Sequence, residues 1–482
     1  MNFSMIKYIL GWVLRLEAIC LSFPLITALI YQEASGFSFL ITLLIAGIVG
    51  FLCSYKKPKN RSFRLRDGFV AVALSWILLS IVGAIPFLIS GEIPHFYDAL
   101  FEVVSGFTTT GASVVQDVDS LSKCMIFWRS FTHWIGGMGV LVFVLAIIPM
   151  ENNSSGTTMH LMRAESPGPI VGKLVPRIKQ TAKILYGIYI VMTIILILLL
   201  LICGMPAFDA FTMAFGTAGT GGFAISNAGA GIYAPHLQII LTVFMILFGV
   251  NFNLYYLLLL KKFKDFIRSE ELRVYMGIIG VAIVLITINI IGQVGDLGTA
   301  LLQSSFQVGS IITTTGYATT DFNLWPQFSK MILLFLMFVG ACAGSTGGGF
   351  KISRITLLVK NTTNEIKSFV HPRSVRVIKM DGKRVEDEVI QSISSYLVIY
   401  LIIMVVSIAL ISLDGFDALT NFSAVSATFN NIGPGLGEVG PMSSFAEYSI
   451  MSKGILTFDM LAGRLELIPM LLLFSPSVWK NK

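Results

Sequence analysis

Charge is what this 482-residue chain has least of: Asp, Glu, Lys and Arg together make up 13% of it, about half the share usual in soluble proteins. Hydrophobic residues make up 55%, which leaves too little polar surface to clothe an aqueous fold. An integral membrane protein is expected. Cysteine is scarce as well. Cys20, Cys53, Cys124, Cys203 and Cys342 are scattered, odd in number and never form CxxC. That spacing excludes a disulfide framework and a CxxC metal or redox site, and the five read as small apolar packing residues. The five histidines, His95, His133, His160, His236 and His371, lack metal-ligand spacing. His133, on an apolar span, reads as a hydrogen-bonded packing residue. No Ser/His/Asp grouping, paired carboxylates or Cys/His cluster stands out, so no enzyme chemistry is expected.

Basic residues are missing from particular places. The loops 90–98, 292–300 and 412–421 contain no Lys or Arg, whereas 54–67, 151–183, 261–273, 351–384 and the C-terminus hold most of the chain's 34. This is the positive-inside pattern, and it puts those five segments and both termini in the cytoplasm. The N-terminal apolar run after Lys7 reads as a retained first span rather than a cleaved signal.

What the chain has in quantity is one short stretch, repeated. Thr313-Thr314-Thr315-Gly316-Tyr317 is echoed by Thr108-Thr109-Thr110-Gly111-Ala112 and, more loosely, by Gly219-Thr220-Gly221-Gly222-Phe223 and Asn430-Asn431-Ile432-Gly433-Pro434. The reference glycines Gly111, Gly222, Gly316 and Gly433 lie 111, 94 and 117 residues apart, and such repeats fix an architecture. Polar loops ending in Gly inside an apolar chain suit carbonyls that replace the water around a dehydrated cation. Glycine permits the positive φ that aims successive carbonyls at one axis. A single Thr-Thr-Thr-Gly would read as an ordinary turn; four copies favour a selectivity filter.

Each copy sits in the same unit of a span, a shorter apolar segment, the Thr/Gly stretch and a second span. The expected second spans are 122–149, 236–260, 326–359 and 447–475. The short segments cannot cross a bilayer, so they should be re-entrant half-helices, tolerated at membrane depth where they line a watery path. The expected architecture is an all-α membrane protein. It has an N-terminal two-helix unit (1–55) and four pore repeats, 68–150, 180–262, 270–360 and 387–478, around one central pore. Four half-helix C-termini facing that axis would favour a cation.

Gly340–Lys351 interrupts the third unit's second span. It fails as a nucleotide P-loop, because Phe350 stands where the lysine belongs. Close helix packing through Gly340 and Gly344 is one reading; a broken helix with an intramembrane loop is the other. Arg464 lies in the last apolar span, where an ionisable residue must face water or a partner. That partner could be Glu466 or Asp459, or the side chain could line a pore. Arg129 and Glu102 fall near external span ends, where interfacial snorkelling would suffice.

The Thr-Gly copies, the four span–pore–span units and the segment Gly340-Ala341-Cys342-Ala343-Gly344-Ser345-Thr346-Gly347-Gly348-Gly349-Phe350-Lys351 together resemble the Trk/Ktr/HKT superfamily of potassium transporters. The extra N-terminal pair is similar to its TrkH branch, and the resemblance covers essentially the whole chain. It implies potassium uptake across an inner membrane, with K⁺ held by Thr109, Thr110, Gly111 and Ala112; Thr220, Gly221, Gly222 and Phe223; Thr314, Thr315, Gly316 and Tyr317; and Asn431, Ile432, Gly433 and Pro434. It implies a gate built from Gly344, Ser345, Thr346, Gly347, Gly348, Gly349, Lys351 and Arg464. It further implies a homodimer and no covalently bound cofactor. The polar stretches 151–179 and 361–388, with Arg373 and Arg376, would dock a cytoplasmic RCK-type subunit that binds NAD or adenine nucleotides. Lying against anionic lipid headgroups is their other reading. Ion-coupled symport and a less selective K⁺/Na⁺ pore remain as alternative functions.

Overall fold

The computed structural model describes residues 1–58, 64–137, 139, 178–371 and 377–479. Almost all of 138–177, and with it the second half of the expected 122–149 span, lies outside them, as do Arg373 and Arg376.

Two apolar helices open the chain, α1 (Phe3–Tyr31) and α2 (Gly36–Ser54). They pack closely because Gly11 faces Gly50: a Cβ on Gly11 would meet the Gly50 carbonyl at 2.9 Å. The turn between them is tied to the first repeat, since Glu33 accepts the backbone N–H groups of Lys123 and Cys124 at 2.6 and 2.9 Å. A carboxylate at the N-terminus of a helix satisfies donors that have no intrahelical partner.

The four repeats follow. The first has α3 (Leu65–Ser90), the pore helix α4 (Phe96–Phe107) and α5 (Lys123–Gly137). The second has α6 (Ile178–Ile202), the pore helix α7 (Ala207–Gly219), α8 (Pro235–Phe248) and α9 (Phe252–Leu259). A short α10 (Phe263–Arg268) then leads to the third, with α11 (Glu270–Val294), the pore helix α12 (Leu297–Ile312), α13 (Gln327–Val339) and α14 (Ile352–Val370). A two-stranded hairpin, Lys379–Met380 paired antiparallel with Lys383–Arg384, precedes the fourth. That repeat has α15 (Asp387–Ile411), the pore helix α16 (Ala418–Phe429), α17 (Ile450–Arg464) and α18 (Ile468–Phe474). The pore helices have 12, 13, 16 and 12 residues, hence lengths of about 18–24 Å at 1.5 Å per residue, too short for a bilayer core of about 30 Å.

Six helices among the described residues are long and apolar enough to cross a membrane, or seven with the bent pair α8–α9 counted as one. The chain is an integral membrane protein of this all-α class. The second spans depart from expectation. The stretch 236–260 is not one helix: α8 and α9 meet at 91°. The stretch 447–475 breaks after Arg464, where Glu466 and Leu467 take φ of 58° and 65°. Hydropathy sums cannot locate such breaks, because they average over a window of spanning length and the apolar residues on either side outweigh the few at the break.

Apolar packing follows the repeats. One cluster joins the N-terminal pair to the first and fourth repeats, and separate clusters form around the second and the third. The pore helices fill the centre. They carry many hydroxyls, and Ser105, Thr212, Ser304 and Ser423 are wholly buried. Most such hydroxyls bond back to carbonyls of the preceding turn, as Thr212 does to Phe208 at 2.8 Å.

Candidate ion pathway

The four Thr/Gly segments share one backbone. In each, the residue two before the reference glycine is left-handed: Thr109, Thr220, Thr314 and Asn431 have φ of 56°, 55°, 57° and 56°. The residue just before the glycine then donates its N–H to a carbonyl five residues back in the pore helix. Thr110 bonds Ser105 at 2.9 Å, Gly221 bonds Gly216 at 2.9 Å, Thr315 bonds Ser310 at 2.8 Å and Ile432 bonds Ala427 at 2.8 Å. A left-handed residue closed by this bond is the usual way to end a helix. A β-branched threonine there is strained by roughly 1–3 kcal/mol. The fourth copy, whose side chains depart most, keeps the same backbone.

The segments also close on one another. A Cβ on Gly111 would lie closer than 3.0 Å to the carbonyl oxygen of Gly221, and one on Gly222 to that of Thr315. Gly316 faces Ile432 in the same way, and Gly433 faces Thr110. Each reference glycine thus abuts the carbonyl just before the next one, and the fourth abuts the first. That is a closed ring of four backbones around one axis, possible only without side chains at those positions. Glycines in the left-handed region supply this freely; their φ values run from 73° to 99°. Outside the ring lies a cavity of about 260 Å³ lined by residues of all four copies, among them Ala112, Phe223, Tyr317 and Pro434.

Buried polar groups brace the ring. Arg129 Nε and Glu102 Oε1 form an ion pair at 2.8 Å, with both side chains at most 2% exposed. Glu102 also accepts the N–H of Val114 at 2.9 Å, and Arg129 lies 4.2 Å from the Phe223 ring centroid. The expectation of interfacial snorkelling is therefore overturned: these residues join the first copy to the second inside the protein. Their burial follows from two helices meeting, which neither helix's own sequence records. His133 works similarly. Its Nε2 accepts the Phe223 N–H at 3.3 Å, which leaves Nδ1 to donate to the Gly106 carbonyl at 2.8 Å. Tyr400 donates to Asn430 Oδ1 at 2.9 Å, and Asn431 Nδ2 donates to Thr110 Oγ1 at 2.9 Å. Where Thr313 and Thr315 bond each other at 2.7 Å within the third copy, the asparagines of the fourth copy bond outward, to another helix and to the first copy.

Beneath the ring lies the loop between α13 and α14. Gly348 donates its N–H to Thr314 Oγ1 at 2.6 Å. A Cβ on Gly347 would stand 2.7 Å from the Thr313 carbonyl, and one on Gly348 would stand 2.5 Å from that of Asn430. The loop therefore presses its glycines against two of the four Thr/Gly segments. The bend of the second repeat holds it from the side: Cys342 donates to the Gly249 carbonyl at 3.1 Å, and Phe252 donates to that of Gly344 at 3.0 Å. Ser345, Gly349 and Lys351 line a cavity of about 100 Å³ together with Arg464.

Arg464 reaches under the ring. It donates to the carbonyls of Thr346 at 2.8 Å and Gly137 at 2.7 Å, and to that of Gly136. The carboxylates weighed as its partners are engaged elsewhere. Glu466 pairs with Arg354, and Asp459 accepts from Ser407 at 2.8 Å. Lys351 donates to the Gly347 carbonyl. Two cationic side chains therefore hold the loop by its backbone. Sequence reasoning missed Arg354–Glu466, whose members are 112 positions apart.

A profile of the TrkH family, described as cation transport protein, matches residues 35–481. The Trk system potassium uptake protein TrkH of Salmonella typhimurium is 37% identical over 489 residues, covering 100% of both chains. TrkG of Escherichia coli, a protein with the same description, is 35% identical over 99% of this chain and 98% of its own. The crystal structure of the potassium transporter TrkH from Vibrio parahaemolyticus superposes with a TM-score of 0.88 at 34% identity, again covering both chains completely.

Proposed function

Given that this chain belongs to the TrkH family of cation transport proteins, we propose that it carries potassium ions into the cell through the ring of four Thr/Gly segments. The observation that carries this reading is the ring itself: four glycines, each abutting the carbonyl that precedes the next. Carbonyls so crowded around one axis replace the hydration shell of a dehydrated cation, and the C-terminal ends of four pore helices add negative potential below them. The intramembrane loop and Arg464 form the gate, one by blocking the path and the other by opposing positive charge there.

The membrane is the inner membrane, and the chain works as a homodimer. Its regulator is a cytoplasmic RCK-type subunit, and any NAD or adenine nucleotide acts through that subunit. The relatives' names speak of a Trk system, which supports a multi-component assembly.

Cation flux into liposomes containing the purified protein, with K⁺, Rb⁺, Na⁺ and Li⁺ compared, tests this directly. K⁺ and Rb⁺ entering faster than Na⁺ and Li⁺ is the expected order, without need of a proton gradient. Equal entry of all four would remove the selectivity claim, and flux only with an imposed H⁺ or Na⁺ gradient would make it a symporter. In the same assay Gly316→Ser should lower K⁺-over-Na⁺ discrimination by about tenfold, or ~1.4 kcal/mol. Its Cβ would collide with the Ile432 carbonyl. Unchanged competition in folded G316S would take Gly316 out of the filter.

A further inference from the structure

Glu271 stands in the first turn of α11, at the cytoplasmic end of the third repeat. Its side chain is turned inward, with the residue 5% exposed. Oε1 accepts the Ala343 N–H at 2.7 Å, and Ala343 directly precedes Gly344 in the upstream part of the intramembrane loop. The neighbouring Glu270 works outward. Its carboxylate pairs with Lys360 of α14, and its N–H donates to Asp381 Oδ1 in the hairpin turn at 2.7 Å. Lys360 also donates to the Lys379 carbonyl of the hairpin at 2.7 Å. Met380 is buried against Leu357 of α14 and Ile390 and Ile393 of α15. The hairpin is therefore fastened to three helices, and two of them flank the loop. One, α11, holds the upstream end of the loop through Glu271; the other, α14, begins at Ile352 where the loop ends.

We propose that Glu271 is a positioning residue that latches the intramembrane loop shut, and that the Lys379–Arg384 hairpin is its handle on the cytoplasmic face. The physical basis is the kind of bond involved: Arg464 and Lys351 hold loop carbonyls, and Glu271 is a carboxylate that holds a loop N–H. The loop's own residues are mostly glycine, so it has few side chains to anchor it, and a charged acceptor makes one of the stronger hydrogen bonds available to a backbone N–H. A shift of the first turn of α11 breaks that bond, and the hairpin contacts that turn from outside. Lys379, Asp381, Lys383 and Arg384 are exposed, so the handle is within reach of the cytoplasm.

The inference rests on the gate reading, and the test separates the two. K⁺ flux per folded molecule is measured in liposomes for the parent, Glu271→Ala, Glu271→Gln, Asp381→Ala and a variant shortened within Gly344–Gly349. Labelling of Cys342 by a membrane-permeant thiol reagent is followed in parallel, with the other four cysteines replaced. Cys342 is buried beside the latch, so its labelling rate reports loop release independently of flux. Glu271→Ala should raise flux about tenfold and speed Cys342 labelling, whereas Glu271→Gln, which still accepts the Ala343 N–H but without the charge, should move both readouts in the same direction by less. Asp381→Ala should shift both readouts in the same direction by less. Should E271A fail to fold, D381A, altered only at an exposed turn, carries the test. Unchanged flux and labelling in E271A or, in its absence, in D381A overturns the latch. If the shortened loop conducts faster while these do not, the latch alone falls; if the shortened loop conducts no faster, the gate reading falls with it.

Discussion

Shortening Gly344–Gly349 should raise K⁺ flux per folded molecule by about tenfold or more in the absence of any regulator, equivalent to removing ~1.4 kcal/mol of barrier. The loop lies directly under the ring, with Gly347 and Gly348 against the Thr313 and Asn430 carbonyls and one N–H bonded to Thr314. On the proposed route a cation leaving the ring inward has to displace it. Arg464→Ala should raise flux as well, because the guanidinium both donates to the Thr346 carbonyl in the loop and puts positive charge on the exit. The two changes act on one step, so their combination should fall short of the product of the single effects, as expected for groups in contact. Selectivity should be largely retained, since the ring is untouched. A different result is expected if Gly340 and Gly344 serve only to bring helices together. The shortened variant would then express poorly, melt early and conduct less. Flux and melting temperature for both single variants and the double variant decide between these, and a folded deletion that conducts no faster than the parent removes the gate.

The largest effect on stability is expected at Glu102. Replacing it with Ala leaves Arg129 buried at 2% exposure with its carboxylate gone, and leaves the Val114 N–H without the acceptor it has now. Removing one partner of a buried pair costs about 3–5 kcal/mol, a large share of the ~5–15 kcal/mol that holds a typical domain together. Glu102→Ala should therefore melt well below the parent in detergent. The double change Glu102→Leu with Arg129→Met removes both charges, so it should recover most of that loss. It should nonetheless discriminate less well between K⁺ and Na⁺. Arg129 packs on Phe223 and donates to the Ala224 carbonyl at 3.3 Å, and without it the second copy of the ring is no longer held from behind. A Glu102→Ala protein that melts with the parent would show that the pair contributes little. A double variant with parental selectivity would confine its role to folding.

Membrane insertion, the four repeats and the four reference glycines were determined by the sequence itself. Each depends on local quantities: apolar runs of spanning length, segments too short to span, and a motif that recurs at near-regular intervals. Gly344–Gly349 was legible for the same reason, since six small or polar residues cannot continue an apolar helix quietly. What only the tertiary structure decided is which groups meet. The 91° bend between α8 and α9 falls where Gly249 is itself small and apolar, so hydropathy passes over it. Glu102 and Arg129 read as interfacial because their burial comes from two helices packing together. The bonds of Arg464 to Gly136 and Thr346, and of Glu271 to Ala343, join residues 328, 118 and 72 positions apart. No local pattern encodes such pairs. The bonds of Arg464 exist because four similar units are wrapped around one axis, which brings the end of the last repeat under the ring beside the break of the third; Glu271 meets Ala343 because the third repeat folds its first helix against its own break.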